Sequence, residues 1–254
     1  MKVLFRLLSG MMILAGGLVL SSCSSPGGGP AFAGESARAT SPPGVASAPV
    51  ERPGLGTSWG ESLDSEIVYQ KFRRSTSQPL AVSTIYYNDE EGVRLQSGGS
   101  VFRARGPLRD ESGRLRWGVK TGWGFAKTVF ADEKSYVIGR KGETYRIYLE
   151  NTSRVPVEVV VSVDGLDVMD GKRASVRKRG YLIAPGKSLE IKGFRKSHSQ
   201  VAAFTFGSVA DSYSQRKHGT SRDVGVIGLA VYEDAEVRSD IRRREGASPF
   251  AEAP

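Results

Sequence analysis

The chain has 254 residues, 39% of them hydrophobic and 25% charged, with a formal net charge of +9. These proportions are ordinary for a folded, water-facing body and exclude both a wholly disordered chain and a polytopic membrane protein. A single cysteine excludes an internal disulfide, two histidines leave little for a zinc centre, and the positive excess favours an anionic neighbour such as lipid headgroups, envelope glycans or nucleic acid.

Lys2 and Arg6 open the chain, an apolar and small-residue run follows from Leu7 to Leu20, and Ser21 and Ser22 precede Cys23. A basic start, a short apolar centre and a small-residue end are the parts of a secretory signal. The run is broken by Ser9, Gly10, Gly16 and Gly17. It is also short against the roughly 20 apolar residues of a membrane-spanning helix.

Leu20-Ser21-Ser22-Cys23 resembles the lipobox of bacterial lipoproteins, in which Leu and two small residues precede the lipidated Cys. The resemblance covers residues 1–23. It implies cleavage before Cys23, diacylglycerol on its sulfur and acylation of the new amino group, so residues 1–22 are expected as signal peptide. Ser24 stands where Asp would retain such a protein at the inner membrane, which implies sorting to the outer membrane. Several acyl chains anchor firmly because each buried methylene contributes about 0.8 kcal/mol. Export also removes nucleic acid from the expected partners.

Residues 23–58 read as a tether. Gly27-Gly28-Gly29-Pro30, Ser41-Pro42-Pro43-Gly44 and Pro49 punctuate a stretch whose only large apolar residues are Phe32 and Leu55. Such a segment buries too little to offset its ordering entropy, so disorder is expected, with a reach of roughly 30 Å.

Residues 59–234 read as a β domain. Val82, Thr84 and Tyr86 alternate with Ser83, Ile85 and Tyr87, and Asn88 to Gly92 supplies a turn. Val101 to Arg105 is a short strand, and Gly118 to Phe130 is glycine-punctuated and aromatic. Tyr145, Ile147 and Leu149 alternate with polar neighbours. After Asn151-Thr152-Ser153-Arg154, Val155, Val157, Val159, Val161 and Val163 take every second place. Two such strands around a four-residue polar turn predict a β-hairpin. Strands are also expected over 180–183, 188–192, 201–206 and 224–232, with a helical turn within 211–218. Glycines Gly225 and Gly228 in the last strand suggest close backbone approach. Short strands about 10 residues apart favour an all-β, antiparallel β-sandwich, immunoglobulin-like forms included, with a closed barrel as the alternative. Residues 235–254 read as a frayed tail. The stretch from Tyr145 to Tyr232 is similar to exported bacterial proteins carrying segments like Val-Ser-Val-Asp-Gly-Leu, a resemblance that implies a folded domain and no particular activity.

The sequence presents no catalytic set. His198 and His218 lie in Ser-, Lys- and Arg-rich contexts that read as exposed loops, and no Gly-x-Ser-x-Gly elbow is present. Lipidation of Cys23 turns its sulfur into a thioether and removes it as a nucleophile. Ser175-Val176-Arg177-Lys178 has the letters of a Ser-x-x-Lys motif but sits in a loop context without the companion motifs. Gly54-x-Gly56 and Gly122-x-Gly124 lack the strand and helix of a dinucleotide fingerprint. Asp164, Asp167 and Asp170 recur every third residue in a glycine-bearing loop; turn formation is favoured, with oxygen ligation of Ca²⁺ as the alternative. Short basic runs at Arg73-Arg74, Arg177-Lys178-Arg179 and Arg242-Arg243-Arg244 read as solvated loops.

The expected function is therefore a lipid-tethered envelope protein with a non-catalytic β-sandwich for binding or support. Its expected partners are the bilayer, through Cys23, and an envelope protein or anionic glycan; no cofactor or metal is expected. Trp117, Trp123 and Phe125 are candidates for a binding face, with core packing favoured for at least two of them. Two alternatives stand: an envelope hydrolase with paired carboxylates, and a calcium-dependent binding module.

Overall fold

The computed structural model describes residues 52–65, 71–98, 102–122 and 124–246. Within them the chain forms β1 (Leu55–Asp64), β2 (Ala81–Asn88), α1 (Glu90–Gln96), β3 (Phe102–Arg105), β4 (Leu108–Arg109), β5 (Leu115–Thr121), β6 (Gly124–Phe125), β7 (Lys127–Ala131) and β8 (Lys134–Ile138). There follow β9 (Thr144–Asn151), β10 (Val157–Val163), β11 (Leu166–Asp167), β12 (Tyr181–Ile183), β13 (Ser188–Ile191), β14 (Gly193–Arg195), β15 (Gln200–Ser208), α2 (Tyr213–His218), β16 (Val226–Glu233) and α3 (Ala235–Glu245). None of these helices is long and apolar enough to cross a membrane.

The strands make two eight-stranded sheets that pack as an all-β sandwich. One runs β1-β15-β9-β5-β4, with β13 beside β9, β14 beside β15 and β6 beside β5. The other runs β11-β10-β16-β2-β8-β7-β3, with β12 beside β10. All pairs are antiparallel except β2 with β8. The core lies between the sheets. Val157, Val159, Val161 and Val163 of β10 face Tyr145, Ile147 and Leu149 of β9 within one cluster of buried side chains.

That packing corrects the expected hairpin. The strands β9 and β10 exist, but they belong to different sheets: β9 pairs with β5, β13 and β15, and β10 with β11, β12 and β16. Their alternating apolar residues meet face to face across the core rather than lying side by side. The linking turn is an arch held by the buried Asn151, whose Nδ2 donates to Val155 O (2.7 Å) and Ile183 O (2.9 Å).

Three other boundaries differ from expectation. Strand β1 starts at Leu55, inside the expected tether, and its register on β15 runs from Leu55↔Ser208 to Asp64↔Gln200. Its glycines and serines have low strand propensity and hid it. Asn88 to Gly92 is less a turn than a helix start, because Asp89 caps α1 through Gly92 N. The expected frayed tail begins as α3, capped by Asp234 through Glu236 N, and residues 247–254 lie outside the described residues.

Candidate binding cleft

The outer face of the second sheet is covered where β10 and β16 run together. Val160, Ala230 and Tyr232 form a small apolar cluster with Phe72. The segment from Lys71 to Leu80 lies along the end of β16 through Ser75 N to Glu233 O and Leu80 N to Val231 O. Arg74 pins it there. Its Nε donates to Glu158 Oε2 at 2.6 Å, Nη1 to Val176 O at 3.0 Å and Nη2 to Lys178 O, and its guanidinium stacks 3.6 Å from the Tyr232 ring centre. Glu158 is buried on β10 and accepts also from Gly180 N at 2.8 Å. One ion pair thus joins β10, the loop before β12 and the Lys71–Leu80 segment.

This pin brings two basic runs together that lie about a hundred residues apart in sequence. Phe72, Arg73, Arg74, Ser77, Arg177 and Arg179 line a hollow of about 490 Å³. Arg179 Nη1 donates to Phe72 O at 3.0 Å. The guanidinium groups of Arg73 and Arg177 are exposed and have no acidic partner among the described residues. Phe72, Arg73 and Arg179 also line a neighbouring, larger cleft of about 1010 Å³. The larger one opens where β12 and β13 border it, and Lys71, Lys187, Lys192 and Arg195 add four more cations. Met169, Leu182, Ile183, Leu189 and Val201 give it apolar walls.

Four carboxylates line this cleft, and three are committed. Glu158 is held by Arg74 and Gly180. Lys120 hydrogen-bonded to Glu190, with Arg146 beside it, holds the Glu190 carboxyl below the usual range and keeps it an anion. Asp234 caps α3. The remaining acid, Glu236, stands exposed in the first turn of α3. Tyr181 Oη lies buried beside the Arg195 guanidinium, whose Nη1 donates to Ser65 O at 2.7 Å and to His198 O at 3.1 Å. Burial pushes the Tyr181 phenol above its ordinary pKa, so it stays protonated and able to donate.

The sequence candidates fall elsewhere. Cys23 and Trp123 lie outside the described residues. Trp117 is a core side chain, and Phe125 packs edge-on against Tyr148 at 5.3 Å, so these two serve packing, the favoured expectation, rather than a binding face. The three aspartates do not converge. Asp164 turns into the core, where it accepts from Thr57 N, Tyr87 Oη and Gly225 N. Asp167 accepts from Met169 N, and Asp170 pairs with Lys178 Nζ at 2.8 Å. Asp164-Gly165, both at positive φ, form the two-residue turn between β10 and β11, which is the turn role the spacing suggests. Lys178 therefore serves Asp170, which leaves Ser175 without the lysine a Ser-x-x-Lys mechanism needs. His198 sits in the exposed loop before β15, and His218 ends α2 with Nε2 3.2 Å from Gly171 O.

Sequence reasoning missed Arg74, Glu158 and the joining of the two arginine runs. The runs themselves were visible, but nothing local says that they meet. Compared with models of known families, with curated proteins and with solved structures, the chain matches none of them.

Proposed function

We propose that this chain is a lipid-anchored protein of the bacterial envelope, held through acylated Cys23 at the outer membrane, whose β-sandwich is a non-catalytic binding domain. The basic cleft between β12 and β13 is its binding face. The observation that carries the binding half of this reading is the pair of neighbouring hollows, one lined by Arg73, Arg177 and Arg179 and the other by Arg73, Arg179, Lys71 and Lys187 beside apolar side chains. The cleft's committed carboxylates fit a site that holds a ligand better than one that cleaves it. The anchoring half is supported by Leu20-Ser21-Ser22-Cys23 at the end of a signal-like segment.

Anchoring is tested by Cys23→Ser. The wild-type chain is expected in the membrane pellet carrying incorporated palmitate, and the variant in the soluble fraction without it. A variant that pellets and labels like the wild type would falsify the lipid anchor.

A further inference from the structure

Resting on the reading of the cleft as the binding face, we infer that its occupant is an acidic glycan, a chain of sugars carrying carboxylates or phosphates, with its anionic groups taken by Arg73, Arg177 and Arg179.

Like charges gathered in one hollow repel, and two of these guanidinium groups have no acidic partner among the described residues. An anion in the hollow relieves that repulsion. Arginine, rather than lysine, presents a planar fork that grips a carboxylate or phosphate through two hydrogen bonds at once. Further cations continue along the larger cleft at Lys71, Lys187 and Lys192, so the match is to repeated charges along a chain rather than to one small anion. A flat array of lipid headgroups does not enter a concavity, which sets the bilayer aside as occupant.

Between a glycan and an acidic peptide, the cleft's own strands decide. A peptide would add as a strand to the edge of β12, but that edge is three residues long and its ends are spent: Gly180 N donates to Glu158, and Ile183 O accepts from Asn151. The other side chains suit sugars. Phe72 and Leu182 offer apolar surface to the C–H faces of the rings.

The test uses the full lipidated protein in neutral detergent, titrated with fluorescent oligogalacturonate, phosphomannan, methyl-esterified oligogalacturonate, poly-glutamate and phosphatidylglycerol vesicles. At least one acidic glycan is expected to bind, with its neutral ester or the peptide weaker by about tenfold or more. The double variant Arg73→Glu/Arg177→Glu should weaken that binding by about tenfold or more. Arg140→Glu/Lys141→Glu, an equal charge reversal on an exposed turn outside the cleft, should leave it within about twofold. Thermal melting of both variants shows that each is folded. Equal loss in both variants means general charge attraction and overturns the site. Binding of poly-glutamate or vesicles in preference to both glycans, sensitive to the cleft variant, overturns the glycan but leaves the binding face standing. If none of the probes binds in a way the cleft variant weakens, the glycan and the binding face fall together, while the Cys23→Ser result still stands apart.

Discussion

Asp164 sits at positive φ in the β10–β11 turn and sends its carboxyl into the core, where Thr57 N, Tyr87 Oη and Gly225 N reach it at 2.7, 2.5 and 2.9 Å. Burial raises its pKa to about 6, and hydrogen bonds from these three donors and from the Val226 backbone pull against that rise without cancelling it. The folded value lies above the unfolded one near 3.9. The folded state therefore holds the proton more tightly, and the stability linked to this group is full below about pH 4 and lost as pH rises through about 6. A shift of about two units corresponds to roughly 3 kcal/mol. Asp164→Asn has no such titration, and asparagine tolerates the left-handed backbone. Urea unfolding of both proteins should show wild type losing about 3 kcal/mol relative to the variant between pH 4 and pH 7. A difference that stays constant over that range would show that Asp164 does not titrate there.

At the scale of elements, β9 and β10 show what one sequence discloses and what it withholds. The alternation that revealed each strand depends only on neighbours two residues away, so both were legible, as were β2, β12, β13, β15 and β16. Which strands pair depends on distant residues. Val160 and Glu158 lie on the outward face of β10 and are nonetheless buried under Phe72 and Arg74, so β10 needs cover on both sides. A hairpin with β9 would not supply it. Strand β1 escaped because glycine and serine fill four of its ten places, and α1 and α3 because short polar helices leave no apolar stripe. The arginine hollow was unreadable for the same reason as the pairing: Arg74 and Lys178 meet across 104 positions. Asn151 separates arch from hairpin experimentally. In an ordinary turn, Asp replaces Asn well. In the arch, a carboxylate cannot donate to Val155 O and Ile183 O and places charge against them. Asn151→Asp should cost about 2–4 kcal/mol in urea unfolding, since buried carbonyls lose their donor. Wild-type stability in this variant would count against the arch.

The whole molecule joins its sheets in two ways. Apolar side chains fill the space between them, and a hydrogen-bonded line from Tyr145 Oη through Thr57 Oγ1 and Tyr87 Oη to Asp164 crosses it, tying β9 and β1 of one sheet to β2 and the β10–β11 turn of the other. Every hydroxyl in that line can donate once and accept once, which is how so many polar groups remain buried without a penalty. On the proposed reading, two independent holds then act on the protein, and salt separates them. Acyl chains anchor through methylene burial, about 0.8 kcal/mol each, which ionic strength hardly touches. The cleft acts through exposed charges, and at 1 M salt the screening length falls to about 3 Å. Washing membranes in 1 M NaCl should therefore leave the wild-type chain in the pellet while abolishing its glycan binding in the same buffer. Any Cys23→Ser chain that clings to membranes at low salt should be released by the wash. Release of the wild-type chain by salt alone would mean that charge, and not lipid, holds it at the membrane.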